Sequence, residues 1–218
     1  MLEVLYRDSH IVVCLKPSGV ISQDGGEDSM PQLLARQLGA KTVYPVHRLD
    51  KAVGGVMVYA LTQKAAAVLS RAVQERTMEK QYLAVLSGKP LKDEAVMEDL
   101  LFHDKVKNKT YVVDRVRKGV KPASLDYCVL ETVCDRTLVK VRLHTGRTHQ
   151  IRVQFASRKL PLVGDSRYGG KTAEKQLGLW SCELRFAHPE TKEALVFTQL
   201  PENIPPWDVF SYISSERE

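Results

Sequence analysis

Cysteine is scarce and scattered in this chain. Its four cysteines, Cys14, Cys128, Cys134 and Cys182, form no C-x-x-C pair and no cluster with metal-ligand spacing, which excludes a disulfide framework or a zinc ribbon. Cys14 lies in an apolar run and reads as a small buried hydrophobe, and a reduced, cytoplasmic home is expected. No apolar run reaches the length that crosses a bilayer, and the first residues lack the charged-then-apolar pattern of a signal peptide, so no membrane partner is expected. His144 and His149 stand five apart with no Glu between them, which is not the spacing of a zinc-hydrolase helix. A Gly-rich phosphate loop of the kinase kind is missing. No second carboxylate flanks Asp50 as glycosidase chemistry usually requires. There is no internal repeat, low-complexity tract or linker, so residues 1–218 are expected to form one domain.

What is present is positive charge in the right concentration for a polyanion. The 218 residues carry a formal charge of +6. Residues 101–122 hold seven Lys/Arg against two Asp, and residues 136–160 hold seven more with no acid. Those two stretches therefore carry more positive charge than the whole chain, and the remainder is net acidic. Charge gathered in this way suits nucleic acid better than a uniform excess does.

Periodicity places the elements. Strands are expected over 2–7 and 10–15, then a turn at Lys16-Pro17-Ser18-Gly19. A helix follows Ser29, with Pro31 in its first turn, a stripe of Leu33, Leu34 and Leu38, and an end at Gly39. Val56 to Ala60 reads as a short buried strand. Thr62 is the expected N-cap of a helix to about Arg76, because Ala65, Val68, Leu69 and Ala72 recur at helical spacing. Strands are expected at 78–87, then a hairpin of 94–100 with 109–116 around a basic connector, then an antiparallel pair of 124–133 with 136–144. Thr148 reads as the N-cap of a short helix to about Lys159, with Ile151, Phe155 and Ala156 on its apolar face. Two closing strands, 179–186 and 194–198, turn at His188-Pro189. Trp207, Val209, Phe210 and Tyr212 are expected to dock a last helix.

Within this order, His47-Arg48-Leu49-Asp50-Lys51-Ala52-Val53-Gly54-Gly55 puts a carboxylate in a loop that feeds a buried strand. Loops held by a rigid scaffold are where chemistry concentrates. Four segments then fall in chain order: Lys16-Pro17-Ser18-Gly19, His47-Arg48-Leu49-Asp50, Lys80-Gln81-Tyr82 and Gly146-Arg147-Thr148-His149-Gln150-Ile151-Arg152. With Gly164-Asp165-x-x-Tyr168-Gly169, they resemble the signatures of the RluA-type pseudouridine synthases over nearly the whole chain.

That resemblance implies an α+β protein with the pseudouridine synthase fold, a mixed, largely antiparallel sheet flanked by helices around a central basic cleft. It implies an isomerase, monomeric, without cofactor or metal, that converts selected uridines of rRNA or tRNA to pseudouridine. Asp50 falls on the family's nucleophile, Tyr82 on its active-site tyrosine and Arg152 on the arginine that pairs with the nucleophile and keeps it ionised. Arg48 falls on a position that reaches into the RNA stack. Arg147 and Lys16 are expected as phosphate or loop-anchoring contacts, His47 and Lys80 as further RNA contacts, and Leu179 as a wall of the uracil pocket. The chain departs from the family at two places. Val53-Gly54-Gly55 stands where Thr-Ser-Gly is usual, and Leu179-Trp180-Ser181 where Leu-His-Ala is common. A catalytically silent RNA-binding protein that keeps the fold is the alternative reading. No extra N-terminal RNA-binding module is expected, and substrate selection is expected to rest on the catalytic domain with help from the basic 101–122 excursion.

Overall fold

A computed structural model describes residues 1–170, 174 and 176–215. In chain order the first elements are β1 (Val4–Arg7), β2 (Ile11–Lys16), α1 (Met30–Leu38), β3 (Tyr44–Pro45), β4 (Gly54–Ala60) and α2 (Gln63–Gln74). Then come β5 (Glu79–Ser87), β6 (Glu94–Asp104), β7 (Lys109–Val113), β8 (Val120–Val133) and β9 (Arg136–Leu143). The chain continues with α3 (Gln150–Ala156), β10 (Leu179–Ala187), β11 (Ala194–Thr198) and α4 (Ser211–Ser215). The fold is mixed α/β, rich in antiparallel strand pairing and poor in helix. Among the described residues, no helix is long and apolar enough to cross a membrane.

The chain packs as two compact units. The first comprises Met1–Lys80 and Trp180–Pro201; the second comprises Gln81–Leu179 and the chain from Glu202 onward. In the first, β4 lies between β2, antiparallel, and β10, parallel, while β1 extends β2 and β11 extends β10. Every residue of β4 is buried, which is why its sequence runs apolar without alternating. The core here gathers Ile11, Val13, Val56, Val58, Leu184 and Phe186 from strands, with Ala65 and Leu69 of α2 against them. The expected cap of α2 is present: the Thr62 hydroxyl accepts a bond from the Ala65 amide at 3.2 Å. Gly55 lies tight against Ser181 of β10. Its φ is +122°, and a Cβ there would stand 2.3 Å from the Ser181 carbonyl oxygen, so only glycine fits.

In the second unit β5, β9, β8, β6 and β7 form one antiparallel succession. The hairpin foreseen between 94 and 116 is β6–β7, and β8 starts earlier than its apolar alternation indicates, at Val120. Three elements differ from expectation. Ser29 precedes α1 but its hydroxyl makes no cap bond, and of the leucine stripe only Leu34 is buried. At α3 the N-cap position is His149, in the left-handed region at φ 54°, and not Thr148, whose carbonyl oxygen accepts from the Thr110 hydroxyl at 2.8 Å. The last helix is only Ser211–Ser215; Trp207 and Phe210 are buried in turns before it, and Val209 is exposed.

Candidate active site

Asp50 sits half-buried in a tight turn that the Lys-Pro-Ser-Gly segment holds in place. The Asp50 carbonyl oxygen accepts from the Val53 amide at 2.9 Å, closing the turn just before β4 begins. On either side the backbone is clamped from the other segment. The Gly19 amide donates to the Lys51 carbonyl at 2.8 Å, and the Ser18 hydroxyl donates to the Ala52 carbonyl at 2.8 Å. The Ser22 hydroxyl donates to the Leu49 carbonyl at 2.7 Å, while the Tyr59 hydroxyl holds Ser22 from β4 through its carbonyl at 2.9 Å. A loop with this many fixed carbonyls sets the position of the backbone that carries Asp50, and fixed placement is what a nucleophile or an electrostatic stabiliser needs.

Lys16 is the centre of that clamp. It is fully buried, and its ammonium donates to the carbonyls of Pro17 (2.8 Å), Val20 (2.7 Å) and Lys51 (3.1 Å). Burial pulls its pKa down to about 8, with the Asp50 charge pulling it back up. Its three carbonyl contacts are those of a loop anchor, one of the two roles expected for it. His47, expected as an RNA contact, is placed beneath the same loop. It is buried, and its Nε2 accepts from the Val58 amide at 3.1 Å, so the ring proton sits on Nδ1. Burial and then the Lys80 charge push its pKa well below the usual value, which leaves a neutral pin between the Asp50 loop and β4. Lys80 is partly buried, and burial lowers its pKa. Arg48 is exposed. These residues, with Asp50, all belong to the first unit.

Tyr82, Arg147, Arg152 and Leu179 belong to the second. Tyr82 is buried in β5 opposite Val141 of β9. Arg152 is buried in α3, and its guanidinium forks onto Asp165, Nε to Oδ2 at 2.7 Å and NH2 to Oδ1 at 2.8 Å. Two backbone amides, of Arg167 and Tyr168, also donate to Asp165 Oδ1, at 3.2 and 3.3 Å. The Arg152 guanidinium lies 5.2 Å from the Tyr168 ring centre. The Tyr168 hydroxyl accepts from the Thr110 amide of β7 at 2.7 Å and stands 3.0 Å from His149 Nδ1. A bidentate, buried arginine of this kind is fixed in orientation as lysine would not be. Arg147 is partly exposed and donates from Nε to the Pro122 carbonyl at 3.0 Å. Leu179 is buried at the start of β10.

Asp165, Tyr168, Thr110 and Ser22 carry this scaffolding, and periodicity alone gives no role to any of them. The signal for the first two is the Gly164-Asp165-x-x-Tyr168 spacing. Ser22 and Thr110 stand in no motif.

Residues 10–157 match the family model described as RNA pseudouridylate synthase. A ribosomal large subunit pseudouridine synthase D from Nitrosomonas europaea is 34% identical over 223 residues, covering 93% of this chain and 63% of its own length. The dual-specificity RNA pseudouridine synthase RluA of Escherichia coli is 35% identical over 202 residues, covering 90% of this chain and 91% of its own. Among solved structures, human RNA pseudouridylate synthase domain containing 1 superposes with a TM-score of 0.79 at 24% identity, over 96% of this chain and 87% of that one. The chain belongs to the RNA pseudouridylate synthase family, in its RluA-type branch. It spans less than two thirds of the length of the Nitrosomonas relative and nearly all of the Escherichia coli one.

Proposed function

We propose that this protein is an RNA pseudouridine synthase that isomerises selected uridines of ribosomal or transfer RNA, acting as one catalytic domain with Asp50 as nucleophile. The observation that carries the reading is the Asp50 turn: a carboxylate whose neighbouring carbonyls are fixed by Lys16, Ser18, Gly19 and Ser22 in a chain of this family. The reaction breaks the uridine N1–C1′ bond, turns the base, and joins C5 to C1′; the C5 proton leaves and N1 ends protonated. Asp50 adds to an electrophilic carbon of the nucleotide or stabilises the charge left at C1′. Tyr82 supplies a ring against the uracil and a hydroxyl for the C5 proton. Arg152, held by Asp165, provides a fixed positive charge that favours ionised carboxylate. Arg48 and Arg147 contact the RNA, and Leu179 walls the base. The uridine must leave its stack for any of this, at a cost of about a few kcal/mol. RNA is the partner, and a monomer in the cytoplasm suffices for the chemistry.

The test uses transcripts of ribosomal and transfer RNA tritiated at uridine C5. Wild type should release tritium to water, and Asp50→Ala should release it at least roughly a thousandfold more slowly while still retaining the RNA on a filter. Equal release by both proteins removes Asp50 from the chemistry. Retention of RNA with no release by wild type leaves a binding protein.

A further inference from the structure

Gly54 and Trp180, one from each of the two segments that depart from the resemblance, meet in one structural feature. Gly54 opens β4 and Trp180 is the second residue of β10, and the two are partners in the parallel ladder. A Cβ at position 54 would stand 2.4 Å from Cζ3 and 2.9 Å from Cε3 of the indole. The benzene side of the ring therefore fills the volume that any side chain at 54 needs. The other side is fixed too, because Nε1–H donates to the Gln199 carbonyl at 2.8 Å. The ring is held at both ends and is still partly exposed. It also stands where the Asp50 turn enters the sheet, since Val53, bonded back to the Asp50 carbonyl, directly precedes Gly54. Core packing alone asks for neither a partly exposed ring nor a clamped one. An immobilised aromatic surface loses little freedom when a second ring stacks on it. Nucleobases stack on such surfaces whatever their sequence.

We propose that Trp180 is a specificity-determining residue: seated on Gly54, its indole stacks on a nucleobase adjoining the uridine that Asp50 acts on. The inference rests on the reading of the chain as an RNA pseudouridine synthase. Glycine at 54 is then the condition for the ring's position, and the two positions form a compensating pair.

Fluorescence tests this without altering the ring, because the chain has only two tryptophans and the other, Trp207, is fully buried. The Asp50→Ala protein is titrated with the same ribosomal and transfer RNA transcripts. Binding should quench the emission, and the quench should vanish in Asp50→Ala/Trp180→Leu. In the otherwise wild-type protein, Trp180→Leu should raise KM for tritium release about tenfold with kcat within about twofold. Gly54→Ser should lower kcat/KM by driving the ring from its seat, and Gly54→Ser/Trp180→His should recover most of that loss. RNA retained on a filter with Trp180 emission unchanged overturns the proposal and leaves the synthase reading intact. Trp180→Leu with an unaltered KM does the same. If wild type neither retains nor isomerises either transcript, both readings fall.

Discussion

At the scale of single residues, the candidate site is a matter of where an ammonium group finds its acceptors. Lys16 is enclosed by protein, and three backbone carbonyls accept hydrogen bonds from its ammonium. Its pKa is drawn down to about 8 by burial, whereas in an unfolded chain a lysine titrates near about 10.4. Between those values the unfolded state binds more protons than the folded one, so the contribution of this group to stability rises with pH there and is flat below. Urea titration should show the unfolding free energy of wild type, minus that of Lys16→Met, increasing from about pH 8 to about pH 10. A difference that is constant over this range overturns the assignment. The motif makes Lys16 visible in the sequence, but not its burial, because that depends on carbonyls as far away as Lys51. His47 teaches the same thing: its type and position are legible, while its neutrality follows from enclosure and from the Val58 amide.

At the scale of elements, α2 is readable because everything it needs is local: a threonine cap and apolar residues at helical spacing. The helix α3 is readable as a helix but not in its start, because a long-range bond from Thr110 takes the Thr148 carbonyl and His149 turns left-handed. Burial of α3 is nearly complete, and that is not legible either. Its sequence suggests a surface helix with one apolar face; instead Arg152 is enclosed and held by both oxygens of Asp165. Removing one partner of a buried ion pair is strongly destabilising, by about 3–5 kcal/mol. Asp165→Ala should therefore lower the urea midpoint by that equivalent, and Asp165→Asn should cost less because it keeps an acceptor for Arg152. A change under about 1 kcal/mol in Asp165→Ala, within the range of exposed pairs, contradicts the enclosure of this pair.

At the scale of the whole molecule, charge distribution and motif order are enough to point to the family and the class of partner. The passage between the two units is not legible, because no linker marks it: β5 begins with the last two residues of the first unit and continues into the second. The basic β6–β7 connector has a measurable consequence if it tracks RNA backbone. Lys105 and Lys107 are both exposed there. Replacing both with Ala should reduce the slope of log affinity against log salt by about 1.4–1.8, since each lysine that neutralises a phosphate displaces about 0.7–0.9 counterions. An unchanged slope in filter binding removes the connector from the interface. Lastly, the first unit is assembled from two stretches of chain separated by Gln81–Leu179, and this sets a timetable for synthesis. β4 lacks its parallel neighbour until β10 has left the ribosome, about 5–20 s after the first eighty residues at ordinary elongation rates. The hairpins β6–β7 and β8–β9, and the β6–β8 pairing between them, join nearby stretches of chain and have no such wait. The turn bearing Asp50 is thus translated well before the strand that completes its sheet, so the β6–β7 and β8–β9 hairpins can pair before that turn is locked.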